Sequence, residues 1–333
     1  MKNQDKLLGS LSVSLLAFSI LMITSASGNA GILYVGCLDS PNVRTYDSSV
    51  GAVINGNFIT SSAPSGALYG SVAHGLLLSG NTLYVADAGN GTVGTFNANT
   101  GAVINASFIT GMSGSWGMAL SGNNLYVAAS TAQKIGKYDA TSGAVINADF
   151  ITGLSGHPSN LLVSGNHLFV ANSYDGHTVG EYDAITGAAI NPNFISLDTQ
   201  WTPYGMALSG GNLFVSASFT SGSQQGYVAK YDAITGAEIN GSFITGLPAY
   251  PVDLLVADNS LFVASVNIGV GKYDVATGIE IDAGFITESG GALSLAFDPT
   301  PVPEPASGGV LFAFGIGMLS LLSRAPRRTM RNE

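Results

Sequence analysis

Residues 230–246 read KYDAITGAEINGSFITG, and the phrase returns as KYDATSGAVINADFITG at 137–153 and as KYDVATGIEIDAGFITE at 272–288. Its closing Phe falls at positions 58, 108, 150, 194, 243 and 285. Two further phrases keep the same step. LYV or LFV starts at residues 33, 83, 125, 168, 213 and 261. An apolar run ending in a turn precedes five of these: GLLLSGN at 75, GMALSGN at 117, NLLVSGN at 160, GMALSGG at 205 and DLLVADN at 253. A period of about 40–50 residues that holds several strands is the signature of propeller blades.

The strands can be read inside one period, 203–246. PYGMALSG is apolar and ends in the turn cluster Ser-Gly-Gly-Asn; NLFVSAS and YVAKYDA alternate; AEINGSFI closes the unit. Four short runs rich in β-branched and aromatic residues, divided by Gly, Asn and Asp, predict one antiparallel blade. In the turn Tyr-Asp-Ala-Ile-Thr-Gly, Asp232 can accept backbone N–H groups and Gly236 can take a positive φ. Asp139/Gly143, Asp183/Gly187 and Asp274/Gly278 repeat the pair, and Asn97 stands in for Asp in the second repeat. A carboxylate that its own hairpin supplies with donors is not read as a calcium ligand.

Counting the phrases gives the closure. The first repeat begins at Ile32-Leu33-Tyr34-Val35 without its apolar first strand, and GGALSLAFDP at 290–299 follows the last repeat. The expectation is an all-β fold, a six-bladed β-propeller of four-stranded antiparallel blades, shut by pairing of the C-terminal strand with the N-terminal blade; seven blades is the alternative count. Over residues 31–300 the chain resembles six-bladed propellers of the NHL and YVTN type.

The two ends read as addresses. Lys2 and Lys6, an apolar run from Leu7 to Ile23 and the small-residue stretch SASGNA describe a signal peptide over 1–30, with a retained anchor as the alternative. Residues 301–333 hold Pro303-Glu304-Pro305, an uncharged run from Ala306 to Ser323 long enough for a transmembrane helix, and Arg324, Arg327, Arg328 and Arg331. This order of elements resembles the PEP-CTERM sorting signal of exported bacterial proteins. The resemblance implies an exosortase-like processing enzyme as partner. It also implies delivery to the cell surface or extracellular matrix, with C-terminal membrane anchoring at least until processing. A plain membrane anchor is the alternative.

Charge excludes one class of partner. The chain carries a formal charge of −10, and between residues 31 and 300 its only cations are Arg44, Lys134, Lys137, Lys230 and Lys272. Such a field repels phosphate backbones, so nucleic acid is not an expected partner. The single cysteine, Cys37, allows no internal disulfide and sits in the LYVG strand phrase, where a buried thiol is expected.

Alignment of the repeats places His74, Trp116, Ser159, Tyr204, Val252 and Leu293 just ahead of the inner strands, as a crown on the central channel. Loops on the same face contribute Asp87, Asn172 and Asp175, alongside Asp39, Asn42, Asn90, His177, Gln225 and Asn267. His74, Trp116 and Tyr204 with Asp87, Asn172 and Asp175 form the candidate ligand site. Aromatic rings with a polar rim suit sugars or aromatic ligands, and the same rings can equally plug the channel. No G-x-S-x-G, triad spacing or H-E-x-x-H pattern occurs, so no catalytic residue, metal or cofactor is assigned. Six-bladed calcium-dependent lactonases carry carboxylates at the channel, which the six crown positions lack. Streptogramin lyase-like propellers pair a channel His with a Glu, and only His74 has a counterpart here. The reading is a surface- or matrix-sorted binding scaffold for polysaccharide or protein; the alternative is a secreted hydrolase or lyase acting near His74.

Overall fold

The computed structural model describes residues 30–38, 42–60, 73–219, 225–247 and 250–299. The expected signal peptide and the Pro-Glu-Pro, transmembrane and arginine elements of 301–333 lie outside these residues. Among the described residues no helix is long and apolar enough to cross a membrane.

The described residues form six four-stranded antiparallel sheets, which are the six blades. Blade 1 is built from Ile32–Cys37, Val43–Asp47 and Val53–Ile59, and its innermost strand is Ala292–Asp298 from the far end of the propeller sequence. Leu33 faces Phe297 and Val35 faces Leu295 in that pairing. The other inner strands are Ala73–Ser79, Ser115–Ser121, His157–Ser164, Trp201–Ser209 and Pro251–Ala257, which open blades 2 to 6 in chain order. Each inner strand touches the next around a complete circle, blade 6 against blade 1 included. The expected closure and blade number are therefore those observed.

The repeated phrase has a place in this ring. Within every blade the aromatic residue of LYV or LFV packs on the Phe of the outer strand, from Tyr34 on Phe58 to Phe262 on Phe285, with ring centroids 5.1–5.7 Å apart. The Ile that follows each Phe is buried. Between blades, the turn glycine of one repeat lies against the Phe carbonyl of the preceding one. A Cβ on Gly51, Gly101, Gly143, Gly187, Gly236 or Gly278 would stand 2.1–2.3 Å from the carbonyl oxygen of Phe285, Phe58, Phe108, Phe150, Phe194 or Phe243. These six glycines also adopt φ between 69° and 78°, where a side chain is strained. The two halves of the phrase thus meet across every blade–blade boundary, and the phrase recurs because the boundary does.

Each turn carries its own donors. Asp232 Oδ1 accepts from Ile234 N at 3.0 Å, Thr235 N at 2.8 Å and Thr235 Oγ1 at 2.8 Å. Asp183 is held the same way by Ile185 and Thr186, and Asn97 replaces the carboxylate with an amide oxygen on the same donors. Hydrogen bonds from Thr186 hold Asp183 below the usual carboxylate range; those from Thr235 do the same to Asp232.

The boundary between blades 6 and 1 has an addition of its own. Arg44 stands where the aligned residue of the other blades is Gly or Ala, and its guanidinium, with the Tyr46 hydroxyl, donates to the buried carboxylate of Glu288. Cys37 is buried in the first strand, as expected.

Candidate functional site

The crown residues gain their positions from irregularity. In each blade the pairing of the inner strand with its neighbour slips by a bulge at the crown residue. Ala73 pairs with Asp87 and Gly75 with Ala86, so the ladder passes over His74; Val252, Ser159 and Leu293 are passed over in the same way. In blades 3 and 5 the slip spans Trp116-Gly117 and Tyr204-Gly205. A bulge breaks the in–out alternation and re-aims one side chain. Here it turns six side chains toward the axis, and all six line a single cavity of about 380 Å³ at the channel mouth.

Three of them touch. The His74 and Trp116 rings stack with centroids 5.2 Å apart and planes at 19°, and Trp116 stacks on Tyr204 at 6.4 Å and 23°. Ser159, between Trp116 and Tyr204 in ring order, is small and lets the two rings meet; its Oγ is 3.4 Å from the Pro203 carbonyl oxygen. The row continues edge-on from Tyr204 to Tyr174 at 6.5 Å and from Tyr174 to His157 at 5.3 Å. Burial, and then the neighbouring Tyr174, push the Tyr204 phenol upward, so it keeps its proton at ordinary pH. The remaining wall mixes aliphatic side chains, Leu76, Leu161 and Leu295 among them, with the polar Asn160, Tyr250 and Asp253.

The structure sorts the other candidate residues. Asp175 lines a neighbouring hollow of about 420 Å³ that shares Tyr204 and Tyr250 with the mouth cavity. Asp87 and Asn172 do not line the cavity. Both are fully buried at the ends of second strands, where Asp87 caps the loop by accepting from Asn90 N at 3.1 Å and Asn172 donates to Thr178 Oγ1 at 3.2 Å. His167 has its Nδ1 2.6 Å from Glu181 Oε1. Among the described residues no group of three or more His, Cys, Asp or Glu is arranged to hold a metal.

One residue of the candidate site escaped the sequence reading. Asp253 follows Val252 and faces the same cavity. Its Oδ1 accepts from Leu254 N at 2.9 Å and from Asn160 Nδ2 at 3.1 Å; its Oδ2 accepts from Leu295 N at 2.9 Å. These bonds join blades 4, 6 and 1 across the mouth and pass over blade 5. There Gly205 leaves the room, since a Cβ on it would lie 2.6 Å from the Asp253 Cα. Enclosure by the channel pushes the Asp253 carboxyl up to about 7, and the three hydrogen bonds only partly offset the shift. The signal was available: at the position where Gly75, Gly117 and Gly205 align, three blades carry Asn160, Asp253 and Ser294 instead.

Comparison with known proteins bears on the whole ring. The family described as outer membrane protein assembly factor BamB matches residues 44–242 and, in an overlapping placement, 89–295. Among solved structures, a chain of a nidogen/laminin complex superposes with a TM-score of 0.65 at 14% identity, over 80% of this chain and 98% of that one. The computationally designed Ika8 protein aligns over 81% of this chain and 79% of its own with a TM-score of 0.47 and 17% identity. No curated protein matches in sequence. At these identities the structural likeness is one of fold.

Proposed function

The chain belongs to the family described as outer membrane protein assembly factor BamB, and from that premise we propose that it is an exported binding scaffold, without catalysis of its own, that engages its ligand at the channel mouth. The ligand class is an extracellular polysaccharide or a surface protein. One observation carries the reading. The crown positions hold six different residue types in six blades, bulges turn all six into one cavity, and three of them are aromatic rings in mutual contact. A stacked aromatic row with polar groups beside it suits the apolar face of a sugar ring or an aromatic side chain. The family's name concerns assembly of outer membrane proteins, which supports an interaction scaffold over an enzyme.

Export and sorting belong to the same proposal. The N-terminal apolar segment and the Pro303-Glu304-Pro305, apolar and arginine elements support secretion followed by capture at the surface through an exosortase-like enzyme. Deletion of 301–333 releases the protein into the medium on this account, and unchanged retention on cells refutes it.

Binding is tested with a glycan array and with surface-protein capture, using residues 31–300, a span that contains every strand of the ring. W116A with Y204A abolishes the hits if the mouth is the site; hits that survive both substitutions place binding elsewhere. The hydrolase or lyase reading near His74 predicts turnover of lactones or glycans that H74A removes, and a screen without turnover sets it aside.

A further inference from the structure

We propose that the group the mouth cavity receives is a cationic amine, bound between the Asp253 carboxylate and the aromatic row. The inference rests on the mouth being the binding site and adds the chemistry of what enters it.

Three observations converge. First, Asp253 supplies the carboxylate among the residues lining the cavity, and each described Lys and Arg is engaged elsewhere. Lys134 pairs with Asp149 at 2.6 Å and Arg44 with Glu288. Lys137 and Lys272 donate to turn carbonyls of Ala184 and Ser48, and Lys230 lies over the Phe214 and Phe243 rings. A buried charge without a partner is costly, and protein interiors normally supply one.

Second, the carboxylate is held rather than loose. Its donors come from Asn160 in blade 4, Leu254 in blade 6 and Leu295 in blade 1. Two reach Oδ1 and one reaches Oδ2, while an ionised carboxylate offers about four acceptor positions. All three fixed partners are donors, which is the environment of an acceptor that stays ionised once a positive charge arrives. The raised carboxyl value marks the cost of the desolvated anion, which a bound ammonium offsets.

Third, Trp116, Tyr204 and Tyr250 line the same cavity. Aromatic faces attract an ammonium group through their quadrupole, most strongly where water is excluded. The chain's formal charge of −10 adds a field that draws cations toward it. His74, Tyr204 and Tyr250 are the other titratable groups of the wall, and the His74 ring is stacked on Trp116.

An amine of this kind can be free or carried on a sugar ring, and four probes separate the cases. Calorimetric titration of the full-length chain at about pH 7, just above the ordinary histidine value and where both amines still carry most of their charge, compares n-butylamine with n-butanol and methyl glucosaminide with its N-acetyl derivative. The expected result is binding of both amines at least tenfold tighter than their neutral counterparts, with the preference lost in D253N. A glucosaminide that outbinds butylamine tenfold assigns the amine to a sugar; equal affinities assign it to the ammonium group alone. Neutral probes that match the amines on the wild-type chain overturn the proposal whether or not D253N folds. If no amine binds but W116A still abolishes captured glycan or protein, the amine inference fails and the mouth reading stands. If W116A changes nothing, the mouth reading itself fails.

Discussion

The rim of the propeller and the mouth of its channel use aspartate in opposite ways. At the rim, Asp139, Asp183, Asp232 and Asp274 are partly exposed and wrapped by donors from their own turns, which hold their carboxyls low. At the mouth, Asp253 is enclosed, and its carboxyl is pushed up to about 7 by loss of water. The rim arrangement repeats because each turn does the same work against the neighbouring blade. The mouth arrangement occurs once, and its bond to Asn160 passes over a glycine and joins blades that are not neighbours. A six-fold scaffold has no structural need of a six-fold-broken centre, and the proposed function draws on the departures from repetition at the mouth.

The largest effect that can break this comparison comes from the ring itself. Deleting 290–333 removes the inner strand of blade 1, whereas deleting 301–333 leaves it in place. The longer deletion is expected to lose cooperative thermal unfolding and the shorter one to retain it; equal melting curves contradict the closure.

Next comes a single rim residue. G236A forces a side chain into φ +70° with its Cβ 2.3 Å from the Phe194 carbonyl, while Gly153 has φ +71° and open space around it. Denaturant titration is expected to show a loss of about 3 kcal/mol for G236A, at the upper end for a strained position. G153A should lose only about 1 kcal/mol, the cost of left-handed backbone alone. Equal losses would mean that the blade boundary does not depend on the glycine.

A pH series sharpens the contrast between aspartates. The Asp253 carboxyl is raised from 3.8 to about 7 on folding, so its contribution is full below the unfolded value and is lost as pH rises through the folded one. The rim carboxylates have the opposite sign: their contribution is present above the unfolded value and is lost as pH falls through the folded one. Between about pH 4 and 7 the wild-type chain should therefore lose up to about 1.4 kcal/mol per pH unit relative to D253N, the slope of one proton. Parallel stability curves for the two proteins would show that Asp253 does not titrate in that window.

The smallest expected change in stability is at the aromatic row. Trp116 is partly exposed and packs on neighbours that are themselves at the rim of the cavity. W116A is expected to cost about 1 kcal/mol, yet to remove binding. A large loss of stability would make the row a plug of the fold.

The ring was legible in the sequence because blade boundaries impose the same phrase at each repeat. Gly236 and Phe243 are readable as parts of a unit, and Leu293 as the start of a displaced strand. The crown was legible because alignment carries a residue to its position without any knowledge of the bulge that turns it inward. Asp87 and Asn172 were placed in loops because a strand end and a loop start look alike; the pairing of Asp87 with Ala73 and Thr92 puts it within the sheet. Asp253 was missed because its partner Asn160 lies 93 residues away, and no local pattern records a hydrogen bond that crosses a channel. Tyr174 was missed for a related reason: it holds φ +56° in a short turn and meets Tyr204 from another blade.

The division of labour between rim and mouth is tested most directly by measuring ligand capture and melting temperature on the same two variants, W116A with Y204A and G236A. The account predicts that the mouth variant loses capture with its melting temperature nearly unchanged, and that G236A melts early but still captures below its transition. A mouth variant that binds as well as the wild type, or a rim variant that loses binding while fully folded, contradicts it.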